Sequence, residues 1–194
     1  MHQLTTSFVL GYHGCDRRIG ERILRGEAFR PSDNEYDWLG PGIYFWEANP
    51  QRGLDFAHEL KGLPHSKIKS PFVIGAVISL GMCLDLATSA GIGQLRTTRR
   101  ILEDLSVRGQ FQFPRASSNP LLRPIDNAVI QMLHKIRRDR GETPIDTVKG
   151  VFIEGKPIYE GSGFYEKTHI QIAVCNPDCI KGVFRVPDSQ LRSI

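Results

Sequence analysis

The chain has 194 residues, 40% of them hydrophobic and 24% charged, with a formal net charge of +4. That length supports one substantial core and makes a second full domain unexpected. The composition is that of an ordinary globular protein, and no apolar run reaches the roughly 18 residues needed to span a bilayer. The start MHQLTTSFVL lacks a basic n-region, so a cytoplasmic protein is expected. Four scattered cysteines (Cys15, Cys83, Cys175, Cys179) read as reduced thiols, because Cys175-x-x-x-Cys179 has no second pair to complete a zinc site.

Charge is unevenly spread. Residues 1–60 carry 6 basic and 9 acidic side chains, whereas residues 94–140 carry 10 basic and 4 acidic ones. The basic stretch is either a solvated helical face or a surface for a polyanion such as nucleic acid.

In chain order, Ser7–Tyr12 predicts a short strand, and Asp16 caps a helix running to about Arg25, with Gly26 as its stop. The stretch Gly40-Pro41-Gly42-Ile43-Tyr44-Phe45-Trp46 predicts a turn and then a bulky strand. Asn49-Pro50 opens a helix that includes Leu54, Phe56 and Ala57. Pro71–Leu80 is a β-branched strand, followed by Gly81 and the short run Cys83–Leu86. Leu95–Leu105 and Ile125–Ile136 show apolar residues at three- and four-residue steps and predict helices. Strands return at Val148–Ile153, His169–Val174 and Ile180–Val186. Strands, then helices, then strands, without regular alternation, indicate an α+β fold in one domain. Asp126 and Asp146 fit helix or turn caps, and His58 with His65 lacks a zinc-binding spacing.

Three strand ends combine glycine with a polar or aromatic group: Tyr12-His13-Gly14, Gly40-Pro41-Gly42-Ile43-Tyr44-Phe45, and Thr168-His169-Ile170-Gln171-Ile172. Their order and spacing resemble the ADP-ribosyltransferases of the diphtheria-toxin and poly(ADP-ribose) polymerase type. That family carries a histidine–tyrosine–glutamate signature on three strands. Further matches are Ile19, Ile23 and Gly26 after the histidine, Gly53 and Phe56 with a one-residue slip, and Gly81, Asp85 and Leu86. The resemblance covers roughly residues 7–90 and 145–187; the basic helical segment at about 94–140 has no counterpart.

The resemblance implies split antiparallel β-sheets with flanking helices, here with a helical insertion, and NAD⁺ as substrate without a metal. It implies that His13 bonds a ribose hydroxyl, that the Gly14 backbone receives the nicotinamide amide, and that Tyr44 and Phe56 sandwich the nicotinamide ring, with Gly53 beside it. Gln171 takes the glutamate position. Glutamine can hydrogen-bond but has no charge and cannot act as a general base, which points to mono-transfer. Glu166, in the loop Gly161–Lys167, is the nearest replacement acid, and Phe164 and Tyr165 stand ready to stack on a target. By analogy the chain would be an intracellular toxin or phage-defence effector, paired with an antitoxin and modifying nucleic acid or protein. An NAD⁺ glycohydrolase and an inactive NAD⁺- or ADP-ribose-binding domain are the alternatives.

Overall fold

In a computed structural model, residues 8–34, 37–119 and 122–191 are described. Ser7, the expected first residue of the first strand, lies outside them. The chain is a mixed α+β structure in which seven strands form one sheet and four α-helices pack around it. In chain order the elements are β1 (Phe8–Asp16), α1 (Arg17–Leu24), β2 (Ile43–Glu47), α2 (Pro50–Lys61), β3 (Pro71–Ser79), β4 (Cys83–Asp85), α3 (Ser89–Val107), α4 (Pro124–Asp139), β5 (Thr147–Phe152), β6 (His169–Val174) and β7 (Ile180–Arg185).

Local chemistry sets the helix starts. The Asp16 carboxylate accepts from the Arg18 amide at 3.0 Å, and also from Lys69 and Ser70, which fastens α1 to the approach to β3. Asn49 accepts from the Arg52 amide at 3.0 Å with Pro50 behind it, as the sequence predicts for α2. Helix α3 begins at Ser89, well before the expected Leu95, because Thr88 caps it through the Gly91 amide. Gly91 and Gly93 mask that start in the sequence, since glycine reads as a breaker. Asp146 is a turn clamp, accepting from the Met82 amide and the Asn176 side chain.

The sheet order is β4-β5-β6-β2-β1-β3-β7, antiparallel throughout except for the parallel β4–β5 pair. Pairing is long between β1 and β3 but short between β1 and β2, where only Gly11↔Glu47 and Tyr12↔Trp46 are in register. On one face Ile43, Phe45, Ala76, Ile78, Ile172 and Val174 form an apolar cluster, continued by Ile23 of α1 against Cys15, Phe72 and Ile74. On the other face α4 lays Ile130 and Leu133 over Leu84, Val148 and Ala173. Farther along that same face, α2 packs Leu54 against Tyr12 and Val73. Between α4 and α2 the face turns polar and aromatic.

Candidate functional site

The sheet order places β6, β2 and β1 side by side, and these strands carry Gln171, Tyr44 and His13 respectively. Gln171 is the cross-strand partner of Trp46, and Tyr44 that of Ala173. All four side chains therefore share the face covered by α4 and α2. His13 pairs with Ile74 and packs its ring against Phe29 and Phe45, so it stands on the opposite face.

His13 nevertheless reaches the gap where β1 and β2 part. Its Nδ1 lies 2.8 Å from the Tyr44 carbonyl oxygen. A carbonyl only accepts, so Nδ1 carries the proton. Burial holds the imidazole below its ordinary pKa, against the raising effect of that bond, and leaves it neutral with a lone pair on Nε2. Such a group can accept a hydroxyl proton.

Tyr44 is fixed by its own turn. Its hydroxyl donates to the Gly40 carbonyl at 2.8 Å and accepts from the Leu39 amide at 3.0 Å. Burial raises the phenol pKa, so it stays protonated. Its ring packs beside Leu39 and Ile130 in the cluster under α4. Gly40, at φ +78°, has the backbone that L side chains avoid, and a Cβ there would stand 2.7 Å from Ile130.

Gln171 is covered. The Trp38 indole N–H donates to its Oε1 at 2.6 Å. The ring lies so close to Gly150 that a Cβ there would meet it at 2.9 Å. On its far side Trp38 packs against Phe152, 4.9 Å between centroids, and the Arg123 guanidinium rests over both rings. Indole nitrogen only donates, so Oε1 is the acceptor in this bond, and Gln171 keeps its NH₂ and the second Oε1 lone pair for other partners.

Gly14 and Gly53 have a packing reason to be glycine. A Cβ on Gly14 would stand 2.0 Å from the Gly53 carbonyl oxygen, so this pair lets α2 lie directly on β1. Phe56 packs against Trp46 with the rings tilted, 4.8 Å between centroids. Glu166 is exposed and accepts from the Lys156 amide at 3.2 Å. It belongs to a hairpin that extends β5 and β6, held by Ile158–Phe164 and Lys156–Glu166 backbone bonds, with Phe164 exposed near the tip.

Sequence reasoning missed a buried polar group beside this face. Arg52, 7% exposed, bonds Glu154 at 2.8 Å, and Lys167 stands 3.6 Å from the same carboxylate. Arg52 and Lys167 also pair with Glu59. Arg52 Nε and Nη1, Trp46 Nε1 and His169 Nε2 are buried without a hydrogen-bond partner among the described residues. His169 Nδ1 approaches the Lys167 carbonyl at 2.6 Å, and burial lowers the pKa of this imidazole too. The rings of Trp46, Phe152 and His169 enclose these atoms. Uncompensated buried polar atoms are costly, which makes this cluster a natural place for a water or a ligand. The only sequence signal was the odd placement of Arg52 in the first turn of α2 and of His169 at a strand start. Both look ordinary without the fold.

The thiols are inert in this setting: burial pushes Cys15 up to about 12 and Cys175 up to about 11. All four cysteines are free. No helix among the described residues is long and apolar enough to cross a membrane.

No family model and no solved structure matches the chain. An uncharacterized protein of Methanocaldococcus jannaschii is 47% identical over 36 residues, which are 19% of this chain and 17% of that protein. So short a stretch transfers no activity.

Proposed function

We propose that the chain is an NAD⁺-dependent mono-ADP-ribosyltransferase, its single sheet nearly parted where β1 and β2 pair over only two residues, acting on a macromolecular acceptor, nucleic acid in preference to protein. The observation that carries this reading is the adjacency of β6, β2 and β1, which brings three signature positions far apart in sequence onto neighbouring central strands. The early end of β1–β2 pairing at His13 supports it, since a dinucleotide needs such a parting to enter a sheet. A neutral His13 with an Nε2 lone pair suits a ribose hydroxyl.

In the reaction the bond between ribose and nicotinamide breaks, the acceptor's nucleophile bonds the ribose carbon, and its proton leaves to solvent or a nearby base. Cleavage develops positive charge on the ribose. His13 would orient the substrate, and the Tyr44 ring, held by Leu39 and Gly40, would offer a fixed apolar wall. The Gln171 NH₂ is a donor and gives no charge stabilisation. The Trp38 indole already occupies one of the two lone pairs of Gln171 Oε1, the atom a ribose hydroxyl would use. That hydrogen bond favours the second reading, a domain that binds NAD⁺ or ADP-ribose without turnover.

Labelled NAD⁺ incubated with the protein and cell lysate tests the proposal. Nicotinamide release with label in nuclease-sensitive material is expected, and His13→Ala and Tyr44→Ala should abolish both. Free ADP-ribose alone indicates a glycohydrolase. NAD⁺ binding without nicotinamide release refutes the enzyme.

A further inference from the structure

The segment after α3 and the flank of α4 enclose a groove of about 700 Å³. That volume is within the roughly 300–1,000 Å³ range of ligand sites. Phe111, Phe113 and Arg115 line one side, and Met132, Lys135 (paired with Asp139) and Arg138 the other; among the described residues no acidic side chain lines it. Arg115 and Arg138 are exposed, and among the described residues neither has an ion-pair partner. On the rest of the insertion the same holds for Arg96, Arg100 and Arg108. Of the ten basic residues of this region, these five thus meet solvent without an ion-pair partner among the described residues, while Arg99, Arg123, Lys135, Arg137 and Arg140 are paired.

The aromatic residues of the groove are held in place. Arg99 sits 3.9 Å above the Phe113 ring, and Phe113 meets Phe111 edge to face at 5.0 Å. Phe111 is partly exposed at the wall of the groove. Fixed aromatic rings beside unpaired arginines are what an unstacked base with its phosphate requires. A duplex hides its base faces and would use the charge alone.

The groove is also wired to the candidate site. Asn127 lines it and donates to the backbone carbonyls of Asn34 at 3.1 Å and Asp37 at 2.8 Å. The next residue is Trp38, whose indole holds Gln171. The floor of the groove is thus one hydrogen bond from the segment that covers Gln171.

From these features the geometry points to a docking groove for single-stranded nucleic acid between the post-α3 segment and α4. The binding claim is independent of the NAD⁺ chemistry proposed above. It goes beyond that reading by giving the preferred acceptor a place.

The test is fluorescence anisotropy on the full chain without NAD⁺, using labelled single strands of RNA and of DNA roughly 16 nucleotides long and the matching duplexes. Binding to single strands should weaken steeply between about 50 and 200 mM salt. The exposed pair Arg115→Glu/Arg138→Glu should cost at least roughly tenfold in affinity and flatten the salt dependence. Phe111→Ala should lose at least about fivefold, for single strands only. The control Arg25→Ala/Lys61→Ala/Lys181→Ala, at the end of α1, on α2 and on β7, should bind like the parent. Equal losses in that control, no loss in the groove variants, or duplex binding as tight as single-strand binding overturns the proposal. So does displacement of the strand by polyglutamate at lower charge concentration than by unlabelled RNA, which would assign the groove to an acidic polypeptide. Preference between RNA and DNA single strands sets the natural source.

Discussion

The two faces of the central strands are built on different principles. On one, Ile43, Phe45, Ile172 and Val174 meet Ala76 and Ile78 in a continuous apolar layer. On the other, the same strands present Trp46, Gln171 and His169, with Arg52, Glu154 and Trp38 above them. The first face obtains its stability from removing area from water, at about 25 cal/mol per Å². The second depends on matched polar partners, and several of its buried atoms lack one. A sheet that needed only to fold would not have asymmetric faces of this kind. The difference is the physical reason for looking for function between α4 and α2.

Substitutions can break the comparison. Phe45→Ala, at a fully buried position, should lower stability by about 3–5 kcal/mol in urea unfolding. Gln171→Ala should cost under about 1.5 kcal/mol in the same assay, since it removes one hydrogen bond and little area. Equal losses would mean that the two faces are one core.

Arg52→Met should cost about 3 kcal/mol, because it removes the 2.8 Å partner of buried Glu154 and leaves only the looser Lys167 contact. Arg52→Met/Glu154→Leu should cost less than the two single changes together, as a double-mutant cycle will show. Additivity would mean that the pair is not coupled. Tyr44→Phe comes next, at about 1 kcal/mol, for the Gly40 and Leu39 hydrogen bonds; loss of nicotinamide release should not accompany it if the ring alone serves the substrate.

The smallest effect is on pH. His13, on the apolar face, and His169, on the polar one, both have folded pKa values lowered chiefly by burial. Above about pH 6.5 neither state is protonated and stability is full. As pH falls through 6.5 the unfolded chain binds protons that the folded chain refuses, so stability drops until the lower folded pKa is passed. Each such imidazole therefore lowers stability as pH falls from 7 to 6. Thermal melts of His13→Asn and His169→Asn should each show a flatter pH profile than the parent. If only one does, the faces differ in their titration as well.

Much of the framework was legible in the sequence because its causes are local. The β-branched run Pro71–Ser79, the Asp16 and Asn49 caps and the bulky Ile43–Glu47 strand each contain their own explanation within a few residues. Where local signals conflict, as at the glycine-rich start of α3, the expected boundary moved by six residues. Gly14 and Gly53 could be found as glycines, yet their mutual contact could not, since it depends on how α2 lies on β1.

By itself the sequence determined most of the strands, the helix caps and the basic insertion, and it set Tyr44 and Gln171 on strands. Its local pattern ends the first strand at His13, whereas β1 continues through His13 to Asp16 because β3 pairs with it along that whole length. Only the tertiary structure decided that β6, β2 and β1 are neighbours, that His13 faces away from Tyr44 yet bonds its carbonyl, and that Trp38 covers Gln171 across 133 residues of chain. It also decided that Arg52 and Glu154, 102 residues apart, share a buried bond. Periodicity and capping act over one or two turns of chain and can be read from neighbours. Strand order and register are fixed by which faces must be buried together, a condition on the whole chain at once.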